Sequence, residues 1–311
     1  MADSKVREGL DFMEAGRKAE TKTSFFGKKK PDWDSAAFNY DEAAKSFRSG
    51  RAYDHCVEAF MKAAEAHKEL GSLHMGGTAL ETAASIAVQQ LNKADHGAAL
   101  YKQSSDFFLA SGSPDRAAEC LEKAAKALQP TNIDKCLAFY IEACDMYEQE
   151  DRIRFGVDTF KRAIGLLLQN RRFDTAIQLS SRLADIFAKL NQSVNFHKQA
   201  LATVVIALGS GDDVEASKRW EHFAGTLAFG GTQEGAIANN LIQAYEQADE
   251  QALAETQKAR EIKLLDNEVA RLALSLSVPT HRRPQPTPGS AIPPSQSVQD
   301  IQDQIEEEGF L

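Results

Sequence analysis

Residues 136–163 read CLAFYIEACDMYEQEDRIRFGVDTFKRA and contain one short pattern twice. A small residue is followed four positions later by a large one, and three positions after that by a second small one. The two copies are Cys136, Tyr140, Ala143 and Gly156, Phe160, Ala163. Offsets of four and three place all three side chains on one face of a helix. The small residues allow a neighbouring helix to approach closely, and the large one fills the space between the two helices.

The same pattern recurs towards the N-terminus in steps of ~20 residues, which is the length of one helix and a short turn. The further copies are Ala36, Tyr40, Ala43; Cys56, Phe60, Ala63; Gly76, Leu80, Ala83; Gly97, Tyr101, Ser104; and Ala117, Leu121, Ala124. One match arises by chance in any alanine-rich helix, whereas a run of matches in phase does not. The sequence therefore predicts an all-α protein built as a right-handed helical-hairpin solenoid of the tetratricopeptide-like type.

Turn signals divide the chain into further elements. Breaks are expected near 49–50, 70–71, 91–92, 111–114, 129–130, 149–151, 170–172 and 190–192, where glycine, asparagine or proline suits a helix end. The first helix is predicted from Ser4, as its cap, to Thr21. Later helices are predicted at 233–247 and 249–263.

The pattern fades beyond Val194, so the end of the array is expected to differ from the internal repeats. We predict a solenoid over residues 1–209 with a loop at 21–33 and a C-terminal helical bundle that caps it over 210–278. Residues 279–311 are rich in proline and end in an acidic segment, which predicts a disordered tail.

Composition excludes several classes of function. A net charge of −9 argues against a nucleic-acid binder. No apolar run reaches the ~18 residues of a membrane span, and the N-terminus lacks the apolar core of a signal peptide, so we expect a cytoplasmic protein. The four cysteines lack CxxC spacing and fit packing thiols, so no metal is expected. No phosphate-binding loop, nucleophile elbow or zinc helix is present. We therefore expect no enzyme, no cofactor and no small-molecule substrate.

Three stretches are candidate interaction surfaces. The first is the loop that carries Phe25, Phe26, Lys28, Lys29 and Lys30. The two aromatic residues could insert shallowly into a bilayer while the lysines attract anionic lipid, at ~1 kcal/mol each. The alternative is that both phenylalanines fold back and cover the first hairpin.

The second surface is a concentration of basic residues in and after the opening stretch. Nearby in the sequence only Asp151 and Asp158 oppose it. Such a surface on a curved solenoid fits an acidic, rod-like partner, and the alternative is that these side chains are solvated helix ends. Its members are Arg152, Arg154, Lys161, Arg162, Arg171 and Arg172.

The third surface is the acidic end of the tail. Residues 306–308 are three glutamates, and Phe310 and Leu311 follow them closely. This combination fits a short docking element, and the alternative is a segment that only maintains solubility.

Four segments together carry a resemblance to a known family: residues 25–37, 112–115, 170–174 and 266–272. From about Val6 to Pro279 the chain resembles the soluble NSF attachment proteins, and the gamma branch more than the alpha and beta branches. The resemblance implies a tetratricopeptide-like array of helices with a terminal bundle. It also implies an adaptor that coats a four-helix SNARE bundle. The adaptor recruits the hexameric NSF ATPase, which pulls the bundle apart in vesicular, including ER–Golgi, transport.

The resemblance also implies roles for particular residues. Phe25 and Phe26 match the apolar membrane-attachment loop, and the lysines after them fit that role at the cytosolic face of a membrane. The basic residues between Arg152 and Arg172 become the candidate SNARE surface. The candidate ATPase contacts are Asp249, Glu250, Glu255 and Leu311.

Two other functions remain open from the sequence. A peptide-binding scaffold of the cochaperone type would need lysines and asparagines that form a carboxylate clamp on a concave face, and no membrane. An enzyme would need a polar pocket with perturbed titratable groups.

Overall fold

The computed structural model of the chain describes residues 2–22, 30–150 and 152–278, and this part is a series of antiparallel α-helices joined by short turns. The first ten helices are α1 (Ala2–Glu20), α2 (Trp33–Ser49), α3 (Tyr53–Glu69), α4 (Leu73–Gln89), α5 (Ala94–Ala110), α6 (Pro114–Leu128), α7 (Ile133–Gln149), α8 (Ile153–Gln169), α9 (Phe173–Lys189) and α10 (Ser193–Gly209). Each packs mainly on the helices before and after it in the chain. The predicted helical-hairpin solenoid is confirmed.

The last helices are shorter and less regular. They are α11 (Asp213–Ala224), a 3₁₀ segment (Thr226–Gly231), α12 (Gln233–Glu246), α13 (Glu250–Thr256), α14 (Arg260–Lys263) and α15 (Asn267–Leu274). The single helix predicted at 249–263 is wrong, because the chain leaves the helical conformation at Gln257 and resumes it at Arg260. The prediction for the first helix is also wrong at its start: Ser4 lies inside α1, which begins at Ala2.

The residues of the repeated triplets pack between adjacent helices, as the sequence predicts. Every member of the seven triplets is buried. A Cβ atom on Gly76 would lie 2.7 Å from the ring of Phe107, and one on Gly156 would lie 2.8 Å from Cβ of Tyr147, so both glycines set the spacing of adjacent helices. The four cysteines are buried as well, and burial raises the pKa of the Cys120 and Cys136 thiols to about 11.

Ion pairs between alternate helices show that the solenoid has two layers. One layer contains the odd-numbered helices from α3 to α11, and the other contains α4, α6 and α8. Ties in the odd layer are Asp54–Lys93 (2.6 Å), Lys102–Glu142 (2.8 Å) and Arg182–Asp145 (2.7 Å); ties in the even layer are Arg116–Glu81 (2.5 Å) and Arg162–Glu122 (3.0 Å).

An aromatic cluster joins the solenoid to the C-terminal helices. The rings of Phe196, Phe223 and Phe229 are fully buried and meet edge to face, with centroids 5.7–6.4 Å apart. They come from α10, α11 and the 3₁₀ segment in turn. The main hydrophobic cluster therefore runs from Met13 to Val278, and a smaller second cluster surrounds Phe108 and Leu121.

Candidate functional site

The α1–α2 connection lies at one edge of the solenoid. Because consecutive helices are antiparallel, this edge also holds the connections α3–α4, α5–α6, α7–α8 and α9–α10. The amide of Lys30 donates to the carbonyl of Lys22 (2.9 Å), and Nζ of Lys22 lies 3.0 Å from Oδ2 of Asp32. The residues that flank segment 23–29, Lys22 and Lys30, therefore lie next to each other. Phe25, Phe26, Lys28 and Lys29 lie outside the described residues, whereas Lys30 is exposed.

The six basic candidates do not form one compact patch. Arg152 and Arg154 lie at the edge just described, and Arg171 and Arg172 lie at the opposite edge, in the turn between α8 and α9. Lys161 and Arg162 lie at the middle of α8, whose 17 residues make it ~25 Å long. The six residues therefore form a line along α8.

Most of these basic side chains face a carboxylate from another helix, so the interpretation that only Asp151 and Asp158 oppose them is corrected. Arg154 and Arg171 are exposed and make no ion pair with any described residue. The partners lie 37 to 105 residues away in the sequence, which is why local reasoning missed them. The pairs are Arg152–Asp115 (3.9 Å), Lys161–Asp266 (3.8 Å), Arg162–Glu122 (3.0 Å) and Arg172–Asp134 (2.8 Å).

Arg171 also has an unusual backbone. Its φ of 54° lies in the left-handed region, where a side chain with a Cβ costs about 1–2 kcal/mol relative to the right-handed region. Arg51 occupies the same position in the α2–α3 turn, with a φ of 58°. Both arginines stand at the same edge of the solenoid, in a conformation that glycine adopts without cost.

Glu81 shows how strongly the carboxylates of the even layer are held. Burial alone would raise its pKa, but hydrogen bonds from Lys123 and Arg116 outweigh burial and lower the pKa below its usual value. Both donors lie 2.5 Å from the carboxylate oxygens. Glu122, one hairpin further on, accepts from Thr159 (2.6 Å) and Arg162 (3.0 Å).

Sequence reasoning missed two residues beside Lys161. Oδ1 of Asp266, which immediately precedes α15, lies 3.2 Å from Nζ of Lys198 on α10 and 3.8 Å from Nζ of Lys161 on α8. Lys161 and Asp266 line a cleft of 280 Å³ between α8, α10 and α15, and Lys198 lies beside Asp266. Asp266 lies in one of the four segments that carry the family resemblance, but nothing in the sequence pairs it with a lysine.

The acidic candidates lie on a different part of the molecule. Asp249 caps α13, where its Oδ1 accepts from the amide of Ala252 (2.9 Å). Glu250 and Glu255 are exposed on the same helix, and none of the three carboxylates has a cationic partner in the described ranges. Leu311 lies outside those ranges. Among the helices that the structure describes, none is long and apolar enough to cross a bilayer.

Comparisons with known proteins agree with this architecture. The family model described as "Soluble NSF attachment protein, SNAP" matches residues 7–266. A gamma-soluble NSF attachment protein of Dictyostelium discoideum is 31% identical over 89% of the chain and 85% of its own length. One from Arabidopsis thaliana is 25% identical over 79% of the chain and 84% of its own length. An alpha-soluble NSF attachment protein of Vitis vinifera is 25% identical over 62% of the chain and 58% of its length. The chain belongs to the soluble NSF attachment protein family.

Proposed function

We propose that this protein is an adaptor that binds SNARE complexes at membranes and recruits the NSF ATPase, which then takes the complexes apart at the expense of ATP. The observation that carries the proposal is the similarity to gamma-soluble NSF attachment proteins along nearly the whole chain. The solenoid supports it, because a long two-layer array of helices offers extended surfaces for macromolecular partners. The adaptor works in the cytoplasm and at the cytosolic face of membranes.

The membrane contact in this proposal is the segment with Phe25, Phe26 and Lys28–Lys30. The hydrogen bond between Lys30 and Lys22 holds the two sides of the segment together at one edge of the solenoid. That edge also carries exposed apolar side chains, since Phe155 and Val194 are 66% and 77% exposed at the first turns of α8 and α10. Apolar side chains beside lysines suit an anionic membrane surface.

The SNARE contact in this proposal is the line of basic residues along α8. Arg154 and Arg171 are available without any rearrangement. Lys161, Arg162 and Arg172 each form an ion pair with a carboxylate of the protein itself. An acidic partner must therefore compete with that carboxylate. The exposed pairs Lys161–Asp266 and Arg172–Asp134 contribute only about 0–1 kcal/mol each, which makes exchange at these two residues inexpensive. Glu122 is only 14% exposed and also accepts from Thr159, so Arg162 is held more firmly.

The ATPase contact in this proposal is the exposed acidic surface of Asp249, Glu250 and Glu255, together with Leu311. Carboxylates without a cationic partner suit a basic surface on NSF. The three carboxylates lie on or just before α13, whereas the basic residues lie on or beside α8. The two partners therefore contact different helices of the molecule.

A SNARE pull-down tests the proposed basic surface. We expect Arg171→Glu/Arg172→Glu to lower the amount of SNARE complex retained by about fivefold or more, and more strongly at low salt, because screening weakens charge attraction. Arg51→Glu is the matched control, since Arg51 occupies the same backbone position in another turn of the same edge. Equal retention by the double variant and the wild type would contradict a SNARE contact at this turn.

A further inference from the structure

In the even-numbered helices α2, α4 and α6, an acidic residue recurs at the same position of the packing pattern. In α2, α4 and α6 the residue that follows the large member of the triplet is an acid: Asp41, Glu81 and Glu122. Each of these acids faces a basic side chain of the protein itself. Asp41 lies 3.0 Å from Nε2 of His67, Glu81 binds two cations of α6, and Glu122 binds Arg162 of α8.

The charge reverses at α8. The residue that follows Phe160 is Lys161, and α10 presents a second lysine, Lys198, towards the same groove. Neither lysine pairs with a carboxylate of another solenoid helix among the described residues. Both meet Asp266, which belongs to the last segment of the chain rather than to the repeat. At the groove between α8 and α10, the carboxylate that pairs with the basic side chains therefore comes from outside the repeat.

Asp266 is held loosely enough to leave. Its side chain and those of the two lysines remain 35–41% exposed, and Asp266 and Lys161 line the cleft between α8, α10 and α15. The distances of 3.2 and 3.8 Å are long for charge-assisted bonds, which are usually about 2.7–2.9 Å. A carboxylate that arrives from a partner can therefore take the place of this one at little cost.

The other contacts of α15 are mostly apolar. Leu272 packs on Gly209 at the end of α10, where a Cβ would come within 2.7 Å of its methyl groups, and Val269 and Ala273 are buried. Nε2 of Gln257 also donates to the carbonyl of Ala273 (2.9 Å). Loss of the Asp266 contact would thus free residues 266–268, ahead of the buried Val269, while the contacts from Val269 onwards keep the rest of α15 docked.

We propose that the groove between α8 and α10 is a binding site for a carboxylate side chain of an acidic partner helix, and that Asp266 is the internal occupant which this carboxylate displaces. The inference rests on the proposed function, in which that helix belongs to the SNARE bundle. Binding at Lys161 and Lys198 then releases the start of α15. Binding on the solenoid thereby loosens the chain at the start of α15.

The variant Asp266→Asn tests this proposal, because it removes the competing charge at nearly constant size. We expect it to bind assembled SNARE complex about two- to fivefold more tightly than the wild type, and Lys161→Gln/Lys198→Gln to bind more weakly. Asp95→Asn is the matched control: Asp95 pairs with Lys135 across 3.5 Å in the odd layer and should leave the affinity unchanged. The measurement is a titration at fixed low salt.

Hydrogen exchange provides an independent second measurement on the same proteins. The amide of Ala270, which donates to the carbonyl of Asp266 (2.9 Å), should exchange faster in Asp266→Asn than in the wild type, and faster in the wild type when SNARE complex is bound. Faster exchange together with tighter binding supports the proposal. Unchanged affinity of Asp266→Asn, with normal binding by the wild type, overturns the competition. If neither the wild type nor any variant binds SNARE complex, the proposed adaptor function is wrong. Unchanged hydrogen exchange in Asp266→Asn would separately overturn the role of Asp266 in holding the start of α15.

Discussion

Phe160→Ala is expected to lower the free energy of unfolding by about 3–5 kcal/mol, the usual cost of deleting a buried aromatic ring. Phe160 is the large member of the last triplet and is fully buried. The guanidinium of Arg182 from α9 also lies 5.6 Å from the ring centre. In a solenoid each repeat is stabilised only by its neighbours, so a cavity here weakens the contact between consecutive hairpins.

Urea unfolding followed by circular dichroism measures this effect. Phe155→Ala is the matched control, because Phe155 lies on the same helix but is 66% exposed, and its loss should change the free energy of unfolding by about 0.5 kcal/mol or less. Equal effects of the two substitutions would show that the triplet does not hold the hairpins together.

Phe25→Ser/Phe26→Ser is expected to weaken binding to anionic liposomes at least tenfold. Burial of one phenylalanine contributes about 1.5–3 kcal/mol, and 1.4 kcal/mol corresponds to a factor of ten. The lysines that follow should keep a weaker, salt-sensitive attraction in the variant. Co-sedimentation with vesicles that contain phosphatidylserine measures both effects.

Leu274→Ser is the matched control for the membrane experiment. Leu274 is 57% exposed but lies on α15, away from the edge where segment 23–29 begins and ends. It should leave liposome binding unchanged. Undiminished binding by the double phenylalanine variant would remove the membrane role of the loop and favour the alternative in which both rings cover the first hairpin.

The sequence predicts the solenoid well because its information is local. Each triplet lies within eight residues, and several turns carry their own signal: Gly71, Asn92, Gly112 and Asn191 all adopt the left-handed conformation expected at helix ends. In the α2–α3 and α8–α9 turns, Arg51 and Arg171 adopt it instead, which the sequence does not predict. The sequence predicts that the pattern fades beyond Val194, but it is already interrupted in α9, before that residue. Ser180 stands where a large residue is expected, and Phe196 stands where a small one is expected. There the packing changes to a buried hydrogen bond between Ser180 and Thr203 (2.7 Å) and to the aromatic cluster.

The candidate site was harder to predict because its electrostatics are not local. The six basic residues look like one cluster in the sequence, yet α8 spreads them from one edge of the solenoid to the other. Arg162 meets Glu122 only because one hairpin stacks on the next, and Lys161 meets Asp266 only because α15 folds back onto α8. Contacts between residues 40 or 105 positions apart depend on the register of the helices, which no single stretch of sequence specifies.

Disassembly of a purified SNARE complex is the measurement that tests the central claim most directly. The complex is incubated with NSF and ATP, with and without this protein, and loss of the four-helix bundle is followed by the separation of fluorescent labels on two SNARE chains. An adaptor predicts disassembly that requires this protein, NSF and hydrolysable ATP together. A complex that stays intact when all three are present, while an established adaptor takes it apart under the same conditions, would contradict the account.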